Sequence, residues 1–320
     1  MEFSILADAF SKMESTTKRL ELTQHLVELF EKTPQDVISR IVYLLQGKLR
    51  PDFEGIELGV AERLAIRAIA KSAGSDNAEK NIESEYRKSG DLGHAASKIL
   101  EQKEQTTFMV QDITVERVYE NLFTIAKLEG SKTQDRKMKY ISGLLNDASP
   151  VEAKFILKIL LGTLRLGVAE NTVMDALAIA FTGNKENRKI LEYAYNVSSD
   201  LGKVAETIAS KGLAGIEGFE INLFNPIRPM LADRVKSEEE AIEKLGIKFA
   251  AEYKLDGERV QLHIEGEKVV LFSRSLENIT SYYPDIVEKI PKAIQAHKVI
   301  LEAEAVAINE NTGEFLPFQE

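Results

Sequence analysis

Leu223-Phe224-Asn225-Pro226-Ile227-Arg228-Pro229-Met230 separates two stretches of different periodicity. It holds two of the eight prolines among the 320 residues. Proline pushes the residue before it toward extended backbone, so this stretch reads as an extended linker. Upstream, residues 1–215 repeat apolar positions at helical spacing. Thr33-Pro34-Gln35-Asp36 offers an N-cap, a proline at N1 and an acid at N3,. Val37, Ile38, Ile41, Leu44 and Leu45 follow, with Gly47 as a stop,. Further helices are expected through Ala61–Ser72, after the capping box Ser149-Pro150-Val151-Glu152, from Asn171 through Phe181, and from Asn184 through Leu191. No useful strand alternation interrupts them. Residues 1–222 therefore read as an all-helical domain.

Downstream the period shortens. Ser237–Leu245 reads as a short helix with Ser237 and Glu240 as a capping box. Strands are expected at Phe249–Lys254, Arg259–Ile264 and Val269–Ser273, with Gly266-Glu267 at a hairpin turn,. Pro284–Ala296 returns to helix. Val299–Ile308 reads as a strand carrying Glu302 and Glu304 on one face, because alternate residues point the same way,. An α+β domain thus starts at residue 223, and at Glu320 it reads as unfinished, truncated within the fold.

Composition narrows the function classes. Hydrophobic residues make up 44% and charged residues 29%, ordinary for a globular chain,. No apolar run reaches the ~18 residues of a membrane span. Met1-Glu2-Phe3-Ser4 lacks the basic start of a secretory signal,. The absence of cysteine excludes disulfides, thiolate nucleophiles and cysteine zinc sites, and fits a cytoplasmic location,. His25, His94, His263 and His297 lack metal-ligand spacing and read as surface or partly buried residues. The net charge is −10, divided as −4 over residues 1–222 and −6 over residues 223–320. Any nucleic-acid contact must come from local basic patches and helix N-termini.

The chemistry concentrates around Lys254-Leu255-Asp256-Gly257-Glu258-Arg259. A lysine at the end of a strand enters a turn whose glycine permits close backbone approach. Arg259 lies five residues on, Arg274 closes the hairpin, and Glu252 and Glu304 lie on strands read as neighbours. Guanidiniums bind phosphate in bidentate fashion. A carboxylate can hold a ribose hydroxyl or a Mg2+ ion. A lysine amine with a lowered pKa is a nucleophile. One amine, two guanidiniums and two acids suit attack on a nucleotide α-phosphate.

Lys254 to Arg259 resembles the nucleotidyl-transfer signature shared by DNA ligases, RNA ligases and mRNA-capping enzymes. Phe272-Ser273-Arg274-Ser275-Leu276-Glu277 resembles the next motif of ATP-dependent DNA ligases, with Ser275 where asparagine often stands. Ile300-Leu301-Glu302-Ala303-Glu304-Ala305-Val306-Ala307 resembles the third, whose second acid matches Glu304. Gly55-Ile56-Glu57-Leu58-Gly59-Val60, Gly90-Asp91-Leu92-Gly93, Leu164-Arg165-Leu166-Gly167 and Pro226-Ile227-Arg228-Pro229-Met230-Leu231-Ala232 are similar to stretches of the replicative archaeal and eukaryotic ligases.

The resemblance implies a multidomain protein: an all-α DNA-binding domain, then an ATP-grasp-like nucleotidyltransferase (adenylation) domain, with the OB-fold domain absent. It implies a DNA ligase that seals nicks in double-stranded DNA during replication, repair and recombination, using ATP and Mg2+. Lys254 would carry AMP, Glu252 would lie at adenine, and Arg259 and Arg274 at ribose and phosphates. Glu304 would hold the ribose hydroxyl or a metal. Asp256 is left between a turn-forming and a catalytic role. The competing readings are an RNA ligase or other covalent nucleotidyltransferase, and a non-catalytic DNA-binding fragment. The 320 residues alone are expected to be catalytically incomplete.

Two basic clusters, Lys132/Arg136/Lys137/Lys139 and Lys185/Arg188/Lys189, are either solvated helix faces or DNA contacts,. The loop at Leu166-Gly167 and the turn before Pro150 are candidates to present amides to phosphates. Gln102, Phe108 and Met109 have the spacing of a sliding-clamp-binding peptide, with Gln105 where a hydrophobic residue is usual. A polar inter-helix loop is the favoured reading there.

Overall fold

Apolar residues at helical spacing need a shared core, and the described residues of the first 219 supply one from twelve α-helices. The computed structural model describes residues 1–74, 77–102, 113–130 and 132–317. The chain divides into two units: Met1–Pro51, Gly55–Tyr195 and Asp200–Phe219 in the first, and Asp52–Glu54, Asn196–Ser199 and Glu220–Glu320 in the second. The helices of the first region are α1 (Phe3–Glu14), α2 (Arg19–Lys32), α3 (Ile38–Leu45), α4 (Glu62–Ala73), α5 (Ala78–Ser89) and α6 (Leu92–Glu101). They continue as α7 (Val115–Lys127), α8 (Thr133–Asp147), α9 (Pro150–Leu160), α10 (Glu170–Thr182), α11 (Arg188–Ser198) and α12 (Leu201–Glu217). Phe10 of α1 meets Phe155 of α9 edge to face, with ring centroids 5.3 Å apart. Both rings are fully buried.

Two charged clusters join these helices. Lys158 of α9, nearly buried, reaches Glu14 of α1 at 2.6 Å and Asp91, the N-cap of α6, at 2.7 Å. Asp175 of α10 is wholly buried and is met by Arg19 at 2.8 Å, Lys185 at 3.3 Å and Arg188 at 3.5 Å. A buried carboxylate without cations would carry a heavy desolvation cost, so these pairs hold α2, α10 and the start of α11 in place. Two members of the second basic cluster therefore point at a carboxylate of their own chain.

Helix ends follow their capping chemistry, with three departures from the sequence reading. Ser149 and Glu152 form the full capping box of α9. Thr33 does not cap α3. Its hydroxyl turns back to the Leu29 carbonyl at 2.7 Å, Pro34 to Val37 form a turn, and the helix starts at Ile38. Helix α10 starts at Glu170, ahead of Asn171, and has no side-chain cap. In α13 (Glu238–Leu245) Ser237 caps Glu240, but the Glu240 carboxylate accepts from Lys236 N–H at 2.8 Å, so the box closes one residue early. Gln102 is the C-cap of α6, while Phe108 and Met109 lie outside the described residues.

The second unit is built on a sheet of order β2-β1-β3, with β1 (Glu258–Glu265) antiparallel to both β2 (Lys268–Ser273) and β3 (Lys298–Ala305). Gly266-Glu267 makes the expected two-residue hairpin, with Gly266 at φ +60°,. Alternation sends Val260, Leu262, Ile264, Val269 and Leu271 to one face, where α14 (Pro284–Ala293) covers them with Ile286, Val287 and Ile290.

The opposite face of β1 carries Arg259, Gln261 and His263. Gln261 and His263 hold the segment before the sheet. Phe224 N–H donates to His263 Nδ1 at 2.8 Å, and Ile227 N–H donates to Gln261 Oε1 at 2.7 Å. Gln261 Nε2 donates back to the Ile227 carbonyl at 3.1 Å. His263 also meets Phe272 edge to face at 5.0 Å and is fully buried, so its reading as surface or partly buried is overturned. The linker is likewise not uniformly extended. Phe224 sits at φ +69° in a turn closed from Asn225 N–H to the Asn222 carbonyl. Its bond to His263 and the Lys268 ammonium 3.7 Å from its ring centroid hold that left-handed conformation,.

The strand expected at Phe249–Lys254 does not form. β1 already has a partner on each side, and every residue from 249 to 254 is exposed, so the alternation there buries nothing,. The last strand also stops at Ala305, and Ile308 makes only an isolated bridge to Phe315.

Ser149→Ala should lower the stability of the helical unit by about 1 kcal/mol, the usual value of such a cap, read from its chemical-denaturation transition. Burial pushes the His263 imidazole from 6.5 down to about 4. The unfolded state therefore binds the extra proton between those values. The stabilisation from His263 is full above about pH 6.5 and is lost as pH falls toward about 4,. Thermal midpoints of the wild type and His263→Phe should converge as pH drops through that window. A gap independent of pH would contradict the burial of a neutral ring.

Candidate nucleotide-binding site

The register of the three strands decides which charged residues meet. Arg259 lies directly opposite Glu304, and Gln261 opposite Glu302. On the other side Ser273 pairs with Val260, which places Arg274, the next residue, at the level of Arg259. One end of the sheet therefore gathers Arg274, just beyond β2, with Arg259 of β1 and Glu304 of β3. The Arg259 guanidinium pairs with the Glu302 carboxylate at 2.5 Å. Both side chains are partly exposed.

Arg274 is presented by a tight turn. Leu276 N–H donates to the Ser273 carbonyl at 3.0 Å, and Ser273 N–H donates to the Glu277 carbonyl at 2.9 Å. Leu276 takes φ +69° and buries its side chain, which anchors the turn and leaves Arg274 exposed. Ser275 exchanges a hydroxyl hydrogen bond with Ser273 at 2.9 Å. A serine thus supports the turn where the related motif often has asparagine.

Lys254 precedes β1 on an exposed segment, its ammonium donating to the Leu255 carbonyl at 3.1 Å. Gly257 ties this segment to the same end of the sheet. A Cβ at Gly257 would collide with the Ala305 carbonyl oxygen and come within 3.0 Å of Glu304 Cγ. Only glycine allows that backbone approach. The chain from Lys254 to Arg259 consequently lies beside the end of β3 that carries Glu304. Glu252 is different. It was expected on a strand next to that of Glu304, but it belongs to no strand and is exposed. Asp256 is exposed in the turn.

Sequence reading missed the roles of Gln261 and Glu302. Their signal was present as alternation: Arg259, Gln261 and His263 are polar at every second position, between Val260, Leu262 and Ile264. A half-apolar strand has one core face, and polar residues on its other face need partners. What those partners are depends on the register with β3 and on the turn at Phe224.

In the helical unit, Arg117, Asn121, Arg136, Lys139 and Tyr140 line one surface cleft between α7 and α8. Lys137 instead donates to the Gly59 carbonyl at 3.2 Å. The loop into α10 exposes Arg165 and Gly167 on either side of buried Leu166. The uncapped start of α10 contrasts with that of α9, where the capping box occupies two amides. No helix among the described residues is long and apolar enough to cross a membrane.

Comparison with known proteins matches both units. Residues 2–178 match the family model described as DNA ligase N terminus, and residues 229–320 match the ATP dependent DNA ligase domain. The chain is 82% identical over 320 residues to a DNA ligase of Nitrosopumilus maritimus and 67% identical over 320 residues to one of Cenarchaeum symbiosum. It is 46% identical over 323 residues to a probable DNA ligase of Aquifex aeolicus. All of this chain is covered in each case, against 54% of the relative, so it spans about half the length of the curated relatives it matches. With a DNA ligase model matched over more than half its residues and an ATP-dependent ligase domain over its sheet unit, the chain belongs to the ATP-dependent DNA ligase family.

Proposed function

We propose that the full-length protein seals nicks in duplex DNA with ATP, and that Lys254 carries the adenylate. The observation that supports this best is the convergence of Arg274, Arg259 and Glu304 at one end of the sheet, with the Lys254 segment held there through Gly257. The Lys254 amine, once deprotonated, attacks the α-phosphorus of ATP. A phosphorus–nitrogen bond forms, the α–β phosphoanhydride breaks, and pyrophosphate leaves. An oxygen of the 5′-phosphate of the nick then attacks the adenylate phosphorus, forming a phosphoanhydride as the phosphorus–nitrogen bond breaks and the Lys254 amine is released. The 3′-hydroxyl attacks that phosphate and expels AMP.

Arg259 and Arg274 neutralise phosphate charge and orient the nucleotide. Glu304 takes the ribose hydroxyl or a metal. Glu252, two residues before Lys254, is assigned to adenine by family resemblance. Mg2+ belongs to the same proposal, since it binds through one or two carboxylates plus substrate phosphates. Among the described residues no cluster of three or more His, Cys, Asp or Glu could hold a metal. The partly exposed Glu304 suits an ion that arrives with nucleotide phosphates,. When bound, that ion would offset charge on the attacked phosphate.

Duplex DNA is the proposed partner of the helical unit. A nick has no sequence of its own, so phosphate contacts and groove shape dominate. Arg136 and Lys139 on α8, and exposed Arg165 with the uncapped start of α10, are the candidate contacts,.

Lys254→Ala in the full-length protein should abolish covalent, denaturation-resistant attachment of labelled AMP, and Arg274→Ala should weaken nucleotide use without unfolding. Labelling that persisted in the lysine variant would remove Lys254 from its role. Affinity for nicked duplex should fall steeply with salt, as counterion release requires. A titration series showing a flat salt response would argue against phosphate-led binding.

A further inference from the structure

Gln261 is nearly buried, yet it carries four polar contacts and no water is needed to satisfy it. Its Oε1 accepts from Ile227 N–H at 2.7 Å and from His263 Nε2 at 2.9 Å. Its Nε2 donates to the Ile227 carbonyl at 3.1 Å and to Glu302 Oε1 at 2.9 Å. The chemistry of the partners fixes the amide orientation. His263 Nδ1 accepts from Phe224 N–H, so the neutral ring carries its proton on Nε2 and donates to Gln261,. A flipped amide would place its NH2 against two donors and its oxygen against a carbonyl and a carboxylate.

Pinning the linker uses only the Ile227 pair of bonds. The remaining donor of Gln261 goes to Glu302, whose other oxygen holds Arg259 at 2.5 Å. Glu302 is 45% exposed at its side chain and Arg259 is 32% exposed. A pair so open to water contributes little to stability. Its consequence is geometric. Without Gln261, both long side chains could sample many rotamers. With it, an unbroken polar chain runs from the Ile227 backbone through Gln261 and Glu302 to the Arg259 guanidinium.

We infer that Gln261 and Glu302 are positioning residues that set the Arg259 guanidinium for nucleotide phosphate, so that the seating of the linker at Ile227 governs how well ATP is held. This rests on the proposed role of Arg259. Glu302 keeps the guanidinium on the ligand side of the sheet, and Gln261 fixes which way Glu302 reaches. The arginine is oriented before the nucleotide arrives, which lowers the ordering required on binding.

The test uses single-turnover AMP labelling of the full-length protein across ATP concentrations, with thermal midpoints measured alongside. Glu302→Gln keeps an acceptor for Gln261 but gives up the charge that holds Arg259. It should raise the ATP concentration for half-saturation about tenfold, the usual scale for a charge-assisted hydrogen bond, with its thermal midpoint unchanged. Gln261→Met, isosteric and unable to hold Glu302, should raise half-saturation in the same direction. If both act through Arg259, combining either with Arg259→Ala should be no worse than Arg259→Ala alone. Glu302→Gln with wild-type half-saturation beside an impaired Arg259→Ala overturns the inference and leaves the role of Arg259 standing. Effects that multiply in the double variants also overturn it. Arg259→Ala that labels like wild type removes the nucleotide role of Arg259, and the inference with it.

Discussion

β1 is paired with β3 along its whole length and with β2 from Val260 onward, and the sheet unit depends on that constraint. A strand bonded to two neighbours cannot rotate, so its alternation assigns every side chain to a face. Val260, Leu262 and Ile264 go to the core under α14, which leaves Arg259, Gln261 and His263 on the other face. A slip of one residue would bury the arginine and expose the core. The same pairing lines up Glu304 with Arg259 and brings Arg274 to their level. The candidate site is thus a by-product of register, with Gly257 as the point where the lysine segment is allowed close enough to join it.

The helical unit uses charge differently. Asp175 and Lys158 are both buried on helices that sink most of their surface into the core, and each is met by two or more opposite charges from elsewhere in the unit. Losing one partner would leave a charge in a low-dielectric interior. Such pairs therefore fix which helix faces meet. They also engage Lys185 and Arg188 with a carboxylate of their own chain, while Arg136 and Lys139 line a surface cleft.

Much of this was legible in local patterns. The capping box at Ser149 and the two-residue hairpin at Gly266 follow from backbone rules that act over a few residues,. The motifs around Lys254, Arg274 and Glu304 stood out for the chemistry of their residue types. Misreadings arose where local patterns compete. Thr33 had two places to spend its hydroxyl, and the preceding helix took it. Residues 249–254 have strand-like alternation, but a strand exists only when a partner completes its hydrogen bonds. His263, on a strand that looked half exposed, was closed in by Phe224 and Phe272.

By itself, the sequence determined the two periodicities, the change between them near residue 223, and the residue types that give the chain its family. Those depend on side-chain chemistry and short-range backbone preference, which need no distant partner. Only the tertiary structure decided that Glu302 rather than Glu304 holds Arg259, that Gln261 joins it to the linker, and that Glu252 lies off the sheet. Those outcomes depend on register between strands some forty residues apart, and register is settled by the burial of a whole face at once.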